Sequence, residues 1–253
     1  MTSLGFGTKS YITGAYATYV GQEIGQFYGW VYKGIARTQD DLDNNAVQQG
    51  ANIGDCLYED ISGPDGTPDG VIDAYDQTVL GSGLPKVNFG LSTHMEYKGF
   101  DLNISTYGVL NYHVTDDIYN SLNSCYGYGN KDVAMLDANR WSEDGSTYLS
   151  NVPRTYAANN ATLGWNDLFS SRKIQNAAYW KIANVELGYN FPDKWFGGYV
   201  NGVRLYVSAQ NLYTFTGYHG YNVDYAGGTF TPGYNFCSFP SARTFMCGLH
   251  FTF

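Results

Sequence analysis

The stretch Phe245-Met246-Cys247-Gly248-Leu249-His250-Phe251-Thr252-Phe253 places an apolar side chain at every second position and finishes on a phenylalanine. In an extended strand successive side chains point to opposite faces. One face of this strand is therefore continuously apolar, and Met246, Gly248, His250 and Thr252 form the other. An exposed apolar edge of this kind invites aggregation in a soluble domain. A membrane barrel requires it, because lipid faces one side and the backbone closes against a neighbouring strand. The pattern predicts an all-β fold, an antiparallel transmembrane β-barrel.

Composition agrees with that expectation. The 253 residues include 24 Tyr, 14 Phe, 5 Trp and 31 Gly, with 15% charged residues. Aromatics gather at the two interfaces of a membrane barrel, and glycine suits its turns. Mean hydropathy is -0.31, and no apolar run is long enough for a helical span. A net charge of -9 argues against nucleic acid as a partner, which selects a basic face. Cys56, Cys125, Cys237 and Cys247 show no zinc-like spacing, although a Cys56–Cys125 bridge between loops is conceivable. The four histidines are scattered. Residues 1–20 lack the basic and apolar regions of a signal peptide, so the chain is expected to be part of a longer exported protein.

Period-two alternation predicts strands over 86–97, 100–113, 178–191, 202–215 and 242–253. In 178–191 the apolar face is read as Tyr179, Ala183, Val185, Leu187, Tyr189 and Phe191. Segments 9–20 and 26–37 are read as two further strands with a less regular pattern. The connections 21–25, 98–99 and 192–201 are short, whereas 38–85, 114–177 and 216–241 are long. Outer-membrane barrels have short periplasmic turns and long extracellular loops. The alternation therefore puts the long loops outside and the C-terminus in the periplasm. An odd number of strands cannot close such a barrel, so the remaining strands are expected on another polypeptide portion. Glu96, Asp101, Asn103, Glu186, Arg204 and Gln210 would form a hydrated wall inside it.

The first long loop carries Asp65-Gly66-Thr67-Pro68-Asp69-Gly70-Val71-Ile72-Asp73-Ala74-Tyr75-Asp76. Asp65, Thr67, Asp69, Asp73 and Asp76 stand at positions 1, 3, 5, 9 and 12, with the Val71 carbonyl available at position 7. This is the spacing of an EF-hand-type calcium loop, with glycine at position 6 for the sharp turn. Asp replaces the usual bidentate Glu at position 12, and Asp60 is a further carboxylate nearby. A structural Ca²⁺ ion is the expectation; a solvated acidic turn is the competing reading.

Several stretches together resemble a known family. They are Gly25–Ile35, Asp69–Asp73, Leu84–Lys86 followed by Tyr97–Leu102, Asn139–Trp141, Ile182–Tyr189, Ser208–Phe215 and Arg243–Phe245. In this order they resemble the C-terminal portion of SusC/RagA-type TonB-dependent outer-membrane transporters. The terminal aromatic also resembles the signal read by bacterial barrel-assembly machinery. The resemblance covers nearly all of 1–253 and implies the C-terminal segment of a barrel of about 22 strands. It further implies a plug domain and N-terminal strands outside this chain, TonB acting through that missing part, a SusD-like surface lipoprotein, and outer-membrane lipid as surroundings. The implied function is active import of oligosaccharides or peptides.

Loop aromatics Tyr126, Tyr128, Trp141, Tyr148 and Trp165 are candidates for stacking on substrate, with packing inside folded loops as the simpler reading. A soluble calcium-dependent carbohydrate-binding β-sandwich is the alternative architecture. Enzyme chemistry finds no support, because the acidic pairs Asp116-Asp117 and Glu143-Asp144 are ordinary and no G-x-S-x-G nucleophile motif occurs.

Overall fold

The computed structural model describes residues 9–124, 130–133, 140–142, 150–155, 164–196, 202–224 and 227–252. Its strands begin with β1 (Ser10–Thr13), β2 (Tyr16–Tyr19), β3 (Gln26–Gly29), β4 (Tyr32–Ile35), β5 (Cys56–Tyr58) and β6 (Thr78–Ser82). Then come β7 (Val87–Tyr97), β8 (Phe100–Leu110), β9 (His113–Asp116), β10 (Gln175–Asn176), β11 (Tyr179–Phe191) and β12 (Gly202–Thr216). The short β13 (Gly227–Gly228), β14 (Thr231–Pro232) and β15 (Tyr234–Asn235) precede β16 (Thr244–Thr252). The described residues also form two short α-helices, α1 (Gln39–Asp43) and α2 (Asp117–Leu122), and several 3-10 turns. The chain divides into two compact units.

One unit comprises Pro85–Tyr112, Asn176–Tyr225 and Ser238–Phe253. It is built on a five-stranded sheet of order β16-β12-β11-β8-β7, antiparallel throughout. All five regular strands expected from alternation are here. The turn between β7 and β8 is the two-residue Lys98-Gly99, with φ of 48° and 87°. Two positive φ values match the right-handed strand twist, and a residue with a side chain is strained at either. At Gly99 an added Cβ would also lie 2.9 Å from the Asn190 carbonyl oxygen.

One face of this sheet is apolar. Val87, Leu91, Met95, Leu102, Ile104, Leu187, Leu205, Val207 and Leu249 form an aliphatic band, most of them with exposed side chains. Leu91 is 66% and Phe245 70% exposed. Aromatic groups bound the band at both ends. At the end of the Lys98-Gly99 turn, Phe100 and Tyr189 rings lie 4.6 Å apart, with Phe191 4.9 Å from Tyr189 and Trp195 5.8 Å from Phe191. At the other end Trp180 stacks on Phe215 at 5.2 Å, and Tyr213 lies 4.7 Å from Phe215.

The reading of 178–191 needs one correction. The register of β11 shifts between Ile182 and Asn184 against both neighbours, leaving Ala183 without a partner. Such a bulge reverses the faces beyond it. Tyr179 and Lys181 consequently lie on the polar face, and Trp180 and Ile182 join the apolar one.

The second unit comprises Met1–Leu84, His113–Gln175 and Ala226–Cys237. Here the two irregular strand expectations fail. Residues 9–20 form a hairpin, β1 against β2 in the register Thr13↔Tyr16, because Gly14 adopts φ 54° in a two-residue loop. Segment 26–37 breaks at Trp30-Val31 into β3, which pairs with β2 and β6, and β4, which pairs with β5. The break follows the Trp30 backbone, which bonds to the carbonyl of Phe169 at 3.2 Å instead of extending the strand. A small core of Cys56, Tyr58 and Ile72 is packed by Trp30, Tyr32, Trp165 and Leu168.

Candidate functional site

The polar face of the five-stranded sheet carries a charge network that spans three strands. Arg204 on β12 donates from Nε to Asp101 Oδ2 at 2.9 Å and from Nη2 to Asp101 Oδ1 and, at 2.7 Å, to Glu186 Oε1. Asn190 Nδ2 adds a bond to Asp101 at 3.1 Å. Asp101 is on β8, two strands away from Arg204, and Gly188 of β11 lies opposite it in the register. The ion pair forms because Gly188 has no side chain: a Cβ there would lie 2.4 Å from Asp101 Oδ2 and 2.5 Å from Arg204 Nη2. Beside this network, His94 sits between Asn103 Oδ1 at 2.6 Å and Glu96 Oε1 at 2.9 Å. The polar wall expected from sequence is thus present, and the structure gathers Asp101, Glu186 and Arg204 into one cluster. The charges satisfy one another, so the arrangement cross-links three strands on the polar face.

Sequence reasoning missed Lys181. Its Nζ contacts Asp224 Oδ2 at 2.5 Å, its side chain is 4% exposed, and the Tyr107 hydroxyl donates to Asp224 Oδ1 at 3.3 Å. A buried ammonium requires such a partner. The bulge at Ala183 brings Lys181 to this face, and strict alternation could not have found it.

The Asp-rich loop belongs to the other unit, and its carboxylates mostly serve the backbone. Asp76 is fully buried and accepts N–H bonds from Ile61 at 2.8 Å, Ser62 at 3.1 Å and Asp73 at 2.8 Å. Asp73 caps the 3-10 turn Ala74–Asp76 by accepting from Tyr75 N at 2.7 Å. Asp69 accepts from Val71 N at 3.0 Å, and Asp60 accepts from Gly70 N at 2.7 Å. Asp65 and Thr67 are exposed, and Val71 forms an isolated parallel bridge with Val47. Asp73 and Asp76 are therefore brought together as a reciprocal cap. Among the described residues no three His, Cys, Asp or Glu side chains are grouped as a metal ion would need.

The aromatic candidates that the structure describes are packing residues. Trp141 is 8% exposed, with its ring against Gly54, where a Cβ would lie 2.5 Å away. Trp165 packs on Tyr58, ring centroids 6.3 Å apart, and donates from Nε1 to the Gln49 carbonyl at 3.0 Å. Their faces are already covered in part by protein, as the simpler packing reading expects. Tyr126, Tyr128 and Tyr148, and the Cys125 of the conceivable bridge, lie outside the described residues. Burial also pushes the Tyr58 phenol well above its ordinary pKa.

The same unit is tied together by amide and carboxylate side chains far apart in sequence. Arg154 holds Asp55 with two bonds of 2.7 and 2.8 Å, and Asn166 bridges Asp55 Oδ1 and the Cys56 N–H at 2.8 and 2.7 Å. Gln48 donates to the Cys56 carbonyl and accepts from Tyr58 N, both at 3.0 Å, which is the pairing a neighbouring strand would give β5.

No protein-family model matches the chain. Among curated proteins it is 30% identical to TonB-dependent receptor P3 of Formosa agariphila over 242 residues, 92% of this chain and 22% of that protein. It is 28% identical to TonB-dependent receptor P26 of the same organism, over 92% of this chain and 23% of that protein. TonB-dependent receptor SusC of Bacteroides thetaiotaomicron is 27% identical over 73% of this chain and 17% of that protein. The chain thus spans about a fifth of the length of the curated relatives it matches. Among solved structures, that of the RagAB peptide transporter matches all of this chain and 25% of its own, with a TM-score of 0.75 and 22% identity. In sequence over most of its length and in fold throughout, the chain is similar to TonB-dependent receptors of the SusC/RagA type.

Proposed function

We propose that this chain forms part of the wall of an outer-membrane barrel that actively imports oligosaccharides or peptides. The observation that carries the reading is the two-faced sheet. Its outward aliphatic band ends in an aromatic group on either side, and its other face is polar and charged. Strand β8 runs for 11 residues. At about 3.4 Å per residue and a tilt of about 40° that gives a height of roughly 26 Å, close to the apolar band of such barrels. A soluble sandwich covers its apolar face with a second sheet, whereas Leu91, Phe245 and Leu249 here are 58–70% exposed. The names of the relatives, receptors and transporters, favour import over enzyme activity.

In this proposal the connections beyond β8 and β12, together with 38–85, lie outside the cell, and 98–99 and 192–201 face the periplasm. The remaining strands and plug come from the rest of the protein, TonB acts through that part, and a SusD-like lipoprotein covers the outer mouth. A structural Ca²⁺ ion at Asp65, Thr67, Asp69, Val71, Asp73 and Asp76 is a further element of the proposal, supported by the oxygen spacing. Such an ion would have to share Asp73 and Asp76 with the backbone N–H groups they already accept.

Topology provides the test. Single cysteines at Lys98 and Asn130, in a background without native cysteines, are treated with an impermeant thiol reagent on intact cells. Labelling at Asn130 alone is expected; labelling at Lys98 alone would invert the model. Uptake that persists without TonB would remove the active-import reading.

A further inference from the structure

The sheet opens into a fork at one end. β16 leaves β12 after the pair Gln210↔Thr244, whereas β12 continues to Thr216 with β11 alongside. Residues 213–216 thus pair with β11 on one side and with no strand on the other among the described residues. That leaves a row of backbone N–H and C=O groups outside the ladder. Asn211, at φ 52°, spans the base of the fork by donating from Nδ2 to the Ala242 carbonyl at 2.9 Å.

A cavity of about 340 Å³ fills the fork, at the small end of the range for ligand pockets. Thr214, Tyr221, Ser241 and Arg243 line it, and Lys181 reaches it. The sequence holds 23 Asp and Glu against 14 Lys and Arg, yet two cations and no carboxylate line this cavity. The charge of Lys181 is already met by Asp224. Arg243 differs. It is exposed and makes no hydrogen bond or ion pair among the described residues. A guanidinium presents a planar fork of donors that matches a carboxylate, and the hydroxyls and open strand edge around it suit hydroxyl or amide groups.

We propose that this fork binds a carboxylate-bearing solute, with Arg243 taking the carboxylate and Thr214, Tyr221, Ser241 and the β12 edge taking its polar neighbours. The proposal rests on the importer reading and names a substrate class for it. Acidic oligosaccharides and peptide C-termini both supply this chemistry.

The test uses the full-length protein carrying this segment, purified in detergent, and direct binding by calorimetry. The probes are a trigalacturonate and its neutral galactose counterpart, and a tripeptide and its C-terminal amide. One carboxylate probe should bind better than its neutral counterpart and identify the source. Arg243→Gln should weaken that probe by about tenfold or more while leaving the neutral one unchanged, and Arg243→Lys should recover part of the loss. Arg243 is exposed, so these variants should fold; heat-modifiable migration on gels checks this. Equal binding of charged and neutral forms, no binding of either carboxylate probe, or indifference to Arg243→Gln would each overturn the proposal. Binding is read without energy input, so a TonB-independent transporter would defeat the importer reading and leave this result standing.

Discussion

The five-stranded sheet and the loop body that contains Asp76 are held together in different ways. In the sheet, backbone pairing supplies the frame, and side chains interact across it, as Arg204 does with Asp101 over Gly188. In the loop body, side chains replace backbone partners: Gln48 completes β5, Asp76 gathers three N–H groups, and Asn166 joins segments more than a hundred residues apart. The difference follows from length. Strands of nine to fifteen residues, such as β16 and β12, satisfy their own polar groups by repetition. Strands of three or four residues leave most of the nearby backbone unpaired, and each buried N–H then needs an individual acceptor.

The largest test of this contrast is Gly188→Val. Its side chain would enter the Asp101–Arg204 pair and separate the charges, in a strand whose backbone is fixed on both sides. The heat-resistant folded form should be lost on gels, and a normally folded variant would show that the network gives way easily. Asp76→Ala comes next and should act on the other region alone. Removing a fully buried acceptor from three N–H groups should destabilise the loop by about 3 kcal/mol. Proteolysis within 38–85 should accelerate while the five-stranded sheet remains heat-resistant. If both regions fail together, the two are not energetically separate.

Calcium gives a smaller effect. If the 65–76 loop binds Ca²⁺ with a dissociation constant of about 1 mM, 10 mM calcium should protect it by about 1.4 kcal/mol. The same protease assay, with and without chelator, reads this, and Asp65→Asn should abolish it. Protection that is absent, or that survives Asp65→Asn, removes the ion from the proposal.

The smallest effect is the pH response of α1. Asp41 accepts N–H bonds from Arg37 at 2.8 Å and Thr38 at 2.9 Å, and these hold its carboxyl below the usual range. A lowered folded pKa means the bonus is present above the ordinary carboxylate pKa and is lost as pH falls through the lower, folded value. The protection factors of the Arg37 and Thr38 amides, taken relative to their intrinsic exchange rates at each pH, should therefore fall in acid, and Asp41→Asn should flatten the response.

Much of the sheet was legible because alternation is a local property: the pattern of β7, β8, β12 and β16 survives in any register that buries or exposes one face consistently. The Lys98-Gly99 turn was legible as a two-residue connection for the same reason. The hairpin at Gly14 and the break at Trp30 were not, since an irregular apolar run does not say where its backbone finds partners. The Asp-rich loop shows a similar limit. Its oxygen spacing was readable, but which N–H each carboxylate meets depends on Ile61 and Ser62 being brought beside Asp76.

The sequence by itself determined the strand pattern, the two-faced sheet and the resemblance along most of the chain, because each resides in residues read consecutively. The tertiary structure decided the bulge at Ala183 that turns Lys181 toward Asp224, the open position at Gly188 that lets Arg204 reach Asp101, and the fork beside Arg243. All three arise from how one strand is offset against the next, and an offset is a relation between segments that no single segment contains.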